Sequence, residues 1–251
     1  MTSARIFLKS LTPPILVDAL GLRSGPKTYP SWDEASRAAQ SYSAKTVNEF
    51  RMKRSVGRLV DGSVLCASAI SLVARMVPFT AGLTVTDLGG ATGDLGADFL
   101  AAFPDAQFVV VENETLVELM QGRSKVQFSK QIPASCDIFY TSGTLQYLDD
   151  PMPVLAAGFD SAKQLVAVVH NSFSDVDLFH VQTSRLFANG MGPIPEGFSD
   201  QDISYPHRTL REDQIVALAV AKGFECISRI SEIEGAIDGS YGKQLVFQRH
   251  R

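Results

Sequence analysis

The stretch LTVTDLGGATGDLGADFLAAFPDAQFVVVE, residues 83–112, decides the fold. It opens with a short apolar run, typical of a buried parallel strand, and continues into a turn that contains Gly89, Gly90 and Gly93. Residues 94–103 have the apolar spacing of an amphipathic helix, and the QFVVV that follows predicts a second strand. Glu112 lies 19 residues after Gly93, near the spacing at which a carboxylate receives ribose hydroxyls in a doubly wound sheet. The stretch therefore predicts a nucleoside-binding unit.

The spacing within the turn indicates which nucleoside binds. A dinucleotide fingerprint needs glycines at i, i+2 and i+5, and no register of GGATGDLG provides them. The pattern Asp87, Gly89, Ala91, Gly93 instead resembles motif I of class I S-adenosylmethionine-dependent methyltransferases, with Ala91 where glycine is commonest. Asp87 suits the ammonium end of that ligand, whereas Asp94 at the helix start disfavours a pyrophosphate. The resemblance implies S-adenosylmethionine as cofactor and S-adenosylhomocysteine as product; a glycine-rich turn without a ligand is the alternative.

Composition limits the class of protein. The chain has 251 residues, 45% of them hydrophobic, which is enough for one large core. Its net charge of −4 argues against a nucleic-acid partner, for which a basic face is expected. Cys66, Cys136 and Cys226 have no metal-ligand spacing, which favours free thiols and a cytoplasmic location. No apolar run approaches the ~20 residues that span a bilayer, so no transmembrane segment is expected.

The beginning of the chain predicts a helical layer. Residues 1–22 are apolar but interrupted by Lys9 and by prolines, and a helix packed on the domain is favoured there over a membrane-surface contact. After a glycine- and proline-rich linker, Ser31 and Glu34 form a capping box that starts a helix.

Two more helices are expected at 44–59 and 63–76, so residues 1–78 would form a layer or lid beside the sheet. Tyr42 and Arg51 are candidates in this layer to reach the ligand, although a solvated position is favoured for both.

The alternating strand and helix patterns of residues 79–251 predict a Rossmann-like α/β domain. Its sheet is expected to be doubly wound and mostly parallel, with a closing antiparallel hairpin. Residues 171–209 are polar and rich in glycine and proline, and they predict a long irregular loop that serves as a substrate lid. Beyond the opening unit, the expected elements are strands at 126–128, 137–142, 164–169, 225–230 and 243–249, and helices at 114–121 and 211–222, with a further helix starting at Pro151.

The strand at 137–142, followed by GTLQYLDDP, is expected to end beside the ligand, because ligands bind outside the carboxyl ends of strands in open α/β sheets. The residues predicted to bind the cofactor are Asp87, Gly89, Gly90, Ala91, Thr92, Gly93, Glu112, Asn113, Ser142, Gly143 and Leu145.

Several segments together resemble one family, the bacterial methyltransferases often encoded among surface-polysaccharide (O-antigen) biosynthesis genes. They are PPILVDAL, SWDEA, DLGGATG, VVVE, DIFYTSGTLQYLDDP, HVQ and SYPHR, and they extend over nearly the whole chain. The resemblance implies a sugar or polysaccharide precursor as acceptor, and the residues predicted to contact it are Gln146, Tyr147, Gln182, Tyr205 and Arg208. Two departures are Leu88, where relatives favour phenylalanine, and Val169-His170-Asn171, where they often carry Asp-Arg.

Methyl transfer to a hydroxyl benefits from a general base by roughly 10²–10⁴-fold. His170 is the first candidate, because it follows an apolar strand at the ligand-binding rim, and His207 is the second. An ordinary structural or exposed histidine is the alternative for each. No metal is expected, although Asp149 and Asp150 with His170 could hold a divalent cation.

Three classes of function stay open. The first is a small-molecule O-methyltransferase, the second an N- or C-methyltransferase of another metabolite. The third is a methyltransferase-like protein that has lost its chemistry and acts as a binding or assembly module. A homodimer is an open assembly state.

Overall fold

The computed structural model describes residues 27–39, 44–61, 82–232 and 239–250. The predicted segment at 1–22, the predicted helix at 63–76 and Tyr42 lie outside these ranges. The strands are β1 (Thr28–Tyr29), β2 (Thr84–Leu88), β3 (Gln107–Val111), β4 (Gln127–Ser129), β5 (Cys136–Ser142), β6 (Ala162–Phe173), β7 (Phe179–Arg185), β8 (Asp202–Arg208), β9 (Phe224–Glu232) and β10 (Tyr241–Arg249). The helices are α1 (Trp32–Arg37), α2 (Lys45–Asp61), α3 (Asp94–Ala102), α4 (Glu114–Met120), α5 (Pro151–Ser161) and α6 (Glu212–Ala221).

The main sheet has the strand order β4-β3-β2-β5-β6-β10-β9. The strands from β4 to β6 in this order are parallel, and β10 is antiparallel to both β6 and β9. The chain runs outward through β3 and β4 on one side of β2 and through β5 and β6 on the other. The edge above β2 and β5 is therefore a topological switch point, where open α/β sheets bind their ligands. The predicted doubly wound sheet with a closing antiparallel hairpin is confirmed.

Apolar side chains cover both faces of the main sheet. On one face Phe139 and Phe247 pack with α5 and α6, and on the other Phe108 packs against Phe99 of α3. The central strands β5 and β6 contain the apolar runs Ile138–Tyr140 and Leu165–Val169, whose residues are buried on both faces of the sheet. This core holds the carboxyl ends of β2, β3 and β5 in fixed relative positions.

The helical layer begins as its capping chemistry predicts. The Ser31 hydroxyl accepts a hydrogen bond from the backbone nitrogen of Glu34 at 3.3 Å, at the start of α1. Helix α2 buries Val47 and Phe50 against Tyr205 of β8. None of the helices in the described ranges combines the length and apolar character needed to cross a bilayer.

The prediction of an irregular loop at 171–209 is wrong. β7 and β8 pair antiparallel from Phe179 opposite Arg208 to Arg185 opposite Asp202, and β1 completes a three-stranded sheet. Only alternate residues of β8 are buried, so its sequence DISYPHR is largely polar. The connection between the two strands contains Gly190, Gly192, Pro193, Pro195 and Gly197, whereas Pro206 lies within β8.

The predicted strand at 164–169 is also too short. β6 continues to Phe173 and pairs with β10 on both sides of His170. His170 has a φ of 53°, a left-handed conformation that interrupts the strand's alternation. His170 therefore lies within the strand and not at its end.

Candidate cofactor and active site

The turn between β2 and α3 allows only small residues. Gly89 and Gly93 have φ values of 76° and 73°. A Cβ atom on Gly89 would lie 2.0 Å from Thr144 Oγ1, and one on Gly90 would lie 2.4 Å from Asp87 Oδ2. Ala91 has a φ of 49°, which explains why glycine is commonest at this position of the motif. The turn therefore packs closely against Thr144 and Asp87, and Gly89, Gly90 and Ala91 line the small cavity.

Glu112, at the end of β3, is held by three hydrogen bonds. Its Oε1 accepts from the backbone nitrogen of Ala91 at 3.2 Å, and its Oε2 accepts from the backbone and side-chain nitrogens of Asn113, each at 2.9 Å. Burial raises the pKa of Glu112, while these hydrogen bonds and the charge of Arg51 oppose the shift. The carboxylate is thus oriented before any ligand arrives.

Two adjoining cavities meet at this turn. The smaller, of about 490 Å³, is lined by Arg51, Asp87, Thr92 and Asp94 together with the glycine turn. The larger, of about 770 Å³, contains Glu112. Arg51, Gly89, Ala91 and Ser142 line both, so the two spaces form one cleft along the carboxyl edge of the sheet. The remaining walls of the large cavity include Val111, Asn113, Lys130, Gln131, Ile132, Gly143, Thr144, Tyr147, Leu148, Pro153, Val154 and Ala157.

Asp87 is the buried anion of the small cavity. It is 2% exposed, and no side chain in the described ranges forms an ion pair with it. Burial raises the pKa of Asp87 to about 7, and the neighbouring carboxylate of Glu112 adds to the increase. A cationic ligand group in this cavity would stabilise the ionised form of Asp87.

Asp94, the second acid of the small cavity, is already neutralised. Its Oδ1 accepts from Arg58 Nε at 2.9 Å and from the Ser55 hydroxyl at 2.7 Å, and its Oδ2 accepts from the Thr92 hydroxyl at 2.5 Å. Arg58, which is 1% exposed, also pairs with Asp98 at 3.3 Å. This buried network fastens α2 to the turn, because breaking one partner would leave a charge buried without compensation.

Arg51 contradicts the expectation of a solvated position. It is 6% exposed, it lines both cavities, and its Nη2 donates to Asn189 Oδ1 at 3.4 Å. Burial lowers the pKa of Arg51, and the charge of Glu112 is the largest effect that opposes this. The guanidinium is therefore a buried cation between the two cavities.

The predicted cofactor residues come together, with two qualifications. Asp87, the turn residues, Glu112, Asn113, Ser142 and Gly143 all lie on or beside the cleft. Leu145 is fully buried in the core and lines neither cavity, while its neighbour Thr144 does. The amide oxygen of Asn113 accepts from the backbone of Leu116 and from Asn48 of α2, so Asn113 mainly positions Glu112.

Of the predicted acceptor residues, only Tyr147 lines the cleft. Its hydroxyl donates to Gln182 at 3.1 Å, and its ring meets that of Tyr205 edge-on at 5.3 Å. Gln146 is 8% exposed and accepts from the backbone of Ser172 at 2.8 Å. Arg208 donates to the carbonyl of Asp149 at 2.6 Å, which ties β8 to the segment after β5.

The two histidine candidates have different surroundings. His170 is half exposed, lines neither cavity, and places its Nδ1 2.7 Å from the carboxylate of Glu232 on β9. His207 is 1% exposed and packs against His180 with ring centroids 4.3 Å apart. Burial lowers the pKa of His207 to about 3, and the neighbouring His180 contributes to the decrease.

The described ranges contain no group of three or more His, Cys, Asp or Glu residues arranged to hold a metal ion. Asp150 caps α5 through the backbone of Met152, and His170 pairs with Glu232.

Sequence reasoning names Arg51 as a candidate but misses Ser55 and Arg58 of α2 and the segment around Gly190 and Met191. A signal for α2 was present: Arg51, Ser55 and Arg58 recur at helical spacing and form a polar stripe. The acids that this stripe meets lie more than 30 residues away, so the pairing could not be deduced locally.

Comparison with known proteins supports the fold. No protein-family model matches the chain, and a search of curated proteins finds no significant match. The structure of S-adenosylmethionine-bound CalS10, an amino pentose methyltransferase from Micromonospora echinaspora involved in calicheamicin biosynthesis, is similar with a TM-score of 0.51 and 13% identity, over 84% of this chain and 99% of that chain. This likeness shows that the chain has the fold of S-adenosylmethionine-dependent methyltransferases.

Two further solved structures are similar at lower TM-scores. Magnesium protoporphyrin IX methyltransferase (ChlM) from Synechocystis PCC 6803, with bound S-adenosylmethionine, has a TM-score of 0.48 and 12% identity over 100% of this chain and 99% of that chain. DesVI from Streptomyces venezuelae has a TM-score of 0.49 and 12% identity over 75% of this chain and 88% of that chain.

Proposed function

We propose that this protein is an S-adenosylmethionine-dependent methyltransferase that acts on a small-molecule acceptor. The charge arrangement along the cleft carries the proposal: Arg51 and Asp87 line the small cavity, and Glu112 lies in the large one. An amino-acid group offers one carboxylate and one ammonium, and a ribose offers two adjacent hydroxyls. The three side chains therefore match, in order, the polar groups of S-adenosylmethionine.

Each part of the cleft has a proposed role. Arg51 would bind the carboxylate and Asp87 the ammonium, while the backbone at Gly89 and Gly90, which line the small cavity, would approach the aminoacyl chain. Glu112 would accept hydrogen bonds from the ribose. The apolar walls of the large cavity, such as Ile132 and Val154, would enclose the flat adenine ring.

A dinucleotide fits this cleft poorly. Its pyrophosphate would lie at the start of α3, where the ionised form of Asp87, which has no ion-pair partner among the described residues, would repel it.

O-methylation of a sugar or surface-polysaccharide precursor is the acceptor chemistry that we propose. The family resemblance supports it, and the likeness to CalS10, an amino pentose methyltransferase, is in keeping with it. Tyr147 would contact the acceptor at the cleft wall, and Gln182, Tyr205 and Arg208 would position Tyr147 and the strand behind it. Methylation at nitrogen or carbon is the alternative within the same fold.

S-adenosylmethionine, when bound, would supply an electrophilic methyl group. The protein must then align the acceptor, exclude water and receive one proton, and alignment alone can contribute ~7–11 kcal/mol. His170 is the proposed base. Donation of its Nδ1 proton to Glu232 would leave Nε2 free to accept the hydroxyl proton.

The position of His170 outside both cavities favours a second candidate function. A methyltransferase-like binding protein would keep the cofactor cleft without a base in it. Product analysis distinguishes the two.

Calorimetry with S-adenosylhomocysteine tests the cofactor assignment. Glu112→Ala should weaken binding by ~1.5–3 kcal/mol, the range for a hydrogen bond to a charged group. Glu225→Ala is the matched control, since Glu225 is exposed on the edge strand β9 and lines neither cavity. Binding of NAD without binding of S-adenosylhomocysteine would refute the assignment.

The acceptor is tested by incubating the protein with S-adenosylmethionine and a panel of nucleotide sugars and glycans. A mass gain of one methyl group on a panel member is the expected result. Binding of S-adenosylhomocysteine without any methylated product across metabolite panels would favour the binding protein.

A further inference from the structure

Residues 186–193, called the cover segment here, form one wall of the small cavity. Gly190 and Met191 of this segment face the cavity that contains Asp87 and the glycine turn. Apart from a short 3-10 turn, Leu186–Ala188, the cover segment has no regular structure. Its position over the cavity therefore depends on contacts with other elements.

Arg54 of α2 makes a concentrated set of those contacts. Its Nη1 donates to the carbonyl oxygens of Phe187 at 2.8 Å and Asn189 at 3.1 Å, and its Nε donates to that of Gly192 at 2.9 Å. One planar guanidinium thus pairs with three carbonyls from a single bend of chain. A lysine ammonium has no such fork and could not reproduce the geometry.

Steric fit reinforces this attachment. Gly192 has a φ of 106°, and a Cβ atom there would lie 2.3 Å from the carbonyl oxygen of Arg54. A Cβ atom on Gly57, one helical turn further, would lie 3.0 Å from Pro193. Phe50, one turn earlier, stacks on Phe187 with ring centroids 5.6 Å apart. Phe50, Arg54 and Gly57 therefore form a stripe of α2 dedicated to the cover segment.

A neighbouring stripe of the same helix holds the glycine turn. Ser55 and Arg58 bind Asp94, and Arg51 reaches from the cleft to Asn189 of the cover segment. Because both stripes lie on one helix, the turn and the cover segment are attached to the same rigid body.

We infer that Arg54 is a positioning residue, which holds Gly190 and Met191 as the wall that closes the small cavity around the proposed site of the cofactor's amino-acid group. The inference rests on the proposed function. Arg54 lines neither cavity, so it acts through the cover segment. Met191, which is 51% exposed, lies between the cavity and solvent, so its placement limits how ligand and acceptor enter.

Rates of ligand exchange test this role without a known acceptor. Surface plasmon resonance on the whole protein, with S-adenosylhomocysteine as the probe, gives association and dissociation rate constants. In Arg54→Met both should rise ~10-fold, because a loosened wall opens the cleft, while Kd stays within ~3-fold. Arg54→Lys should give an intermediate increase.

Two further variants separate this role from a loss of folding. Gly192→Ala should reproduce the faster exchange, because it displaces the cover segment while Arg54 is intact. Lys53→Met is the matched control. Lys53 also lies on α2, and its ammonium packs over the Phe198 ring, 5.0 Å from the centroid. The exchange rates of this variant should equal those of the wild type.

Three results would overturn the assignment of Arg54. One is unchanged exchange in both Arg54→Met and Gly192→Ala. Another is a higher dissociation rate constant in Arg54→Met with an unchanged association rate constant, accompanied by a matching loss of melting temperature. That result is expected if Arg54 only stabilises the fold. The third is equally fast exchange in Lys53→Met. If the wild-type protein does not bind S-adenosylhomocysteine at all, the proposed function fails instead.

Discussion

Two carboxylates dominate the chemistry of the cleft, the buried Asp87 and the partly buried Glu112, and their surroundings differ. Glu112 accepts three hydrogen bonds that fix its orientation, whereas Asp87 has no ion-pair partner in the described ranges. A buried acid without a partner holds its proton to higher pH, because the charged form is poorly solvated. Asp87 is thus suited to a ligand that brings its own positive charge.

The raised pKa of Asp87 predicts a pH-dependent stability. In the ligand-free protein the native state keeps the Asp87 proton up to about pH 7, whereas the unfolded state releases it near pH 4. The native state then binds more protons between these values, so stability falls as pH rises through this range.

Asp87→Asn removes this linkage. The free energy of unfolding of the variant, relative to that of the wild type, should therefore be higher at pH 7.5 than at pH 5. Urea unfolding at both values measures the difference. A constant difference between the two proteins would contradict an elevated pKa.

A second prediction at the scale of single residues concerns the role of His170 in turnover. A left-handed φ in a strand is strained, and such outliers concentrate at functional sites. If His170 is the base, His170→Ala lowers turnover ~10²-fold or more while the affinity for S-adenosylhomocysteine stays within a few-fold.

Steady-state kinetics on the acceptor found in the panel gives this comparison. His207→Ala is the control, and the same pattern there would transfer the role to β8. Normal turnover in both variants would leave positioning as the source of catalysis.

At the level of elements, the segment predicted as a loop at 171–209 forms most of a small three-stranded sheet, which packs with α2 beside the site. β7 and β8 place His180 and His207 opposite each other, both buried, and neither Nδ1 atom has a hydrogen-bond partner among the residues that the structure describes. Burial lowers the pKa of His180 to about 4 and that of His207 to about 3. Both imidazoles are therefore neutral in the native state.

This pair predicts acid sensitivity. Below a pH of about 6.5 the unfolded state binds protons that the native state does not, so stability falls with pH until the lowered pKa values are reached. The expected loss between pH 7 and pH 5 is roughly 2 kcal/mol per histidine.

His180→Phe with His207→Phe should flatten this dependence, as denaturant unfolding at the two pH values would show. An equally steep loss in the double variant would assign the acid sensitivity to other groups.

For the whole molecule, cofactor binding is expected to stabilise the native state by mass action. S-adenosylhomocysteine at 100 times its Kd adds ~2.7 kcal/mol to the free energy of unfolding. For a chain of this size the melting temperature should rise by about 5–10 °C. A thermal shift assay measures this, with NAD as the control ligand. A shift with NAD alone would count against the proposed cofactor.

The fold was predictable because its signals are local. The apolar runs of β2, β3, β5 and β6 and the glycine turn each lie within short stretches, so strand type and ligand edge follow from periodicity. The residues proposed to bind the cofactor share this advantage, since Asp87, Gly89 and Gly93 belong to one turn and Glu112 follows at a characteristic spacing. Capping of α1 by Ser31 is equally local.

The sequence-based predictions that were wrong share one physical cause: each depended on contacts between distant parts of the chain. β7 and β8 are polar on alternate positions, and only their pairing with each other shows that they are strands. Arg51 has the local sequence of a solvated helix residue, but in the folded protein it is buried beside the distant turn that contains Asp87. His170 looked like a strand end until β10 paired with the chain on both sides of it.

The amino-acid order thus specifies the nucleoside-binding half-fold, because turns, caps and apolar runs act over a few residues. The charge balance of the cleft, the wall held by Arg54 and the pairing of His170 with Glu232 were decided only by tertiary structure. Each joins groups that are 60 or more residues apart, or that lie on different layers, and their energies depend on burial. Burial is a property of the folded chain, so no local pattern could have supplied it.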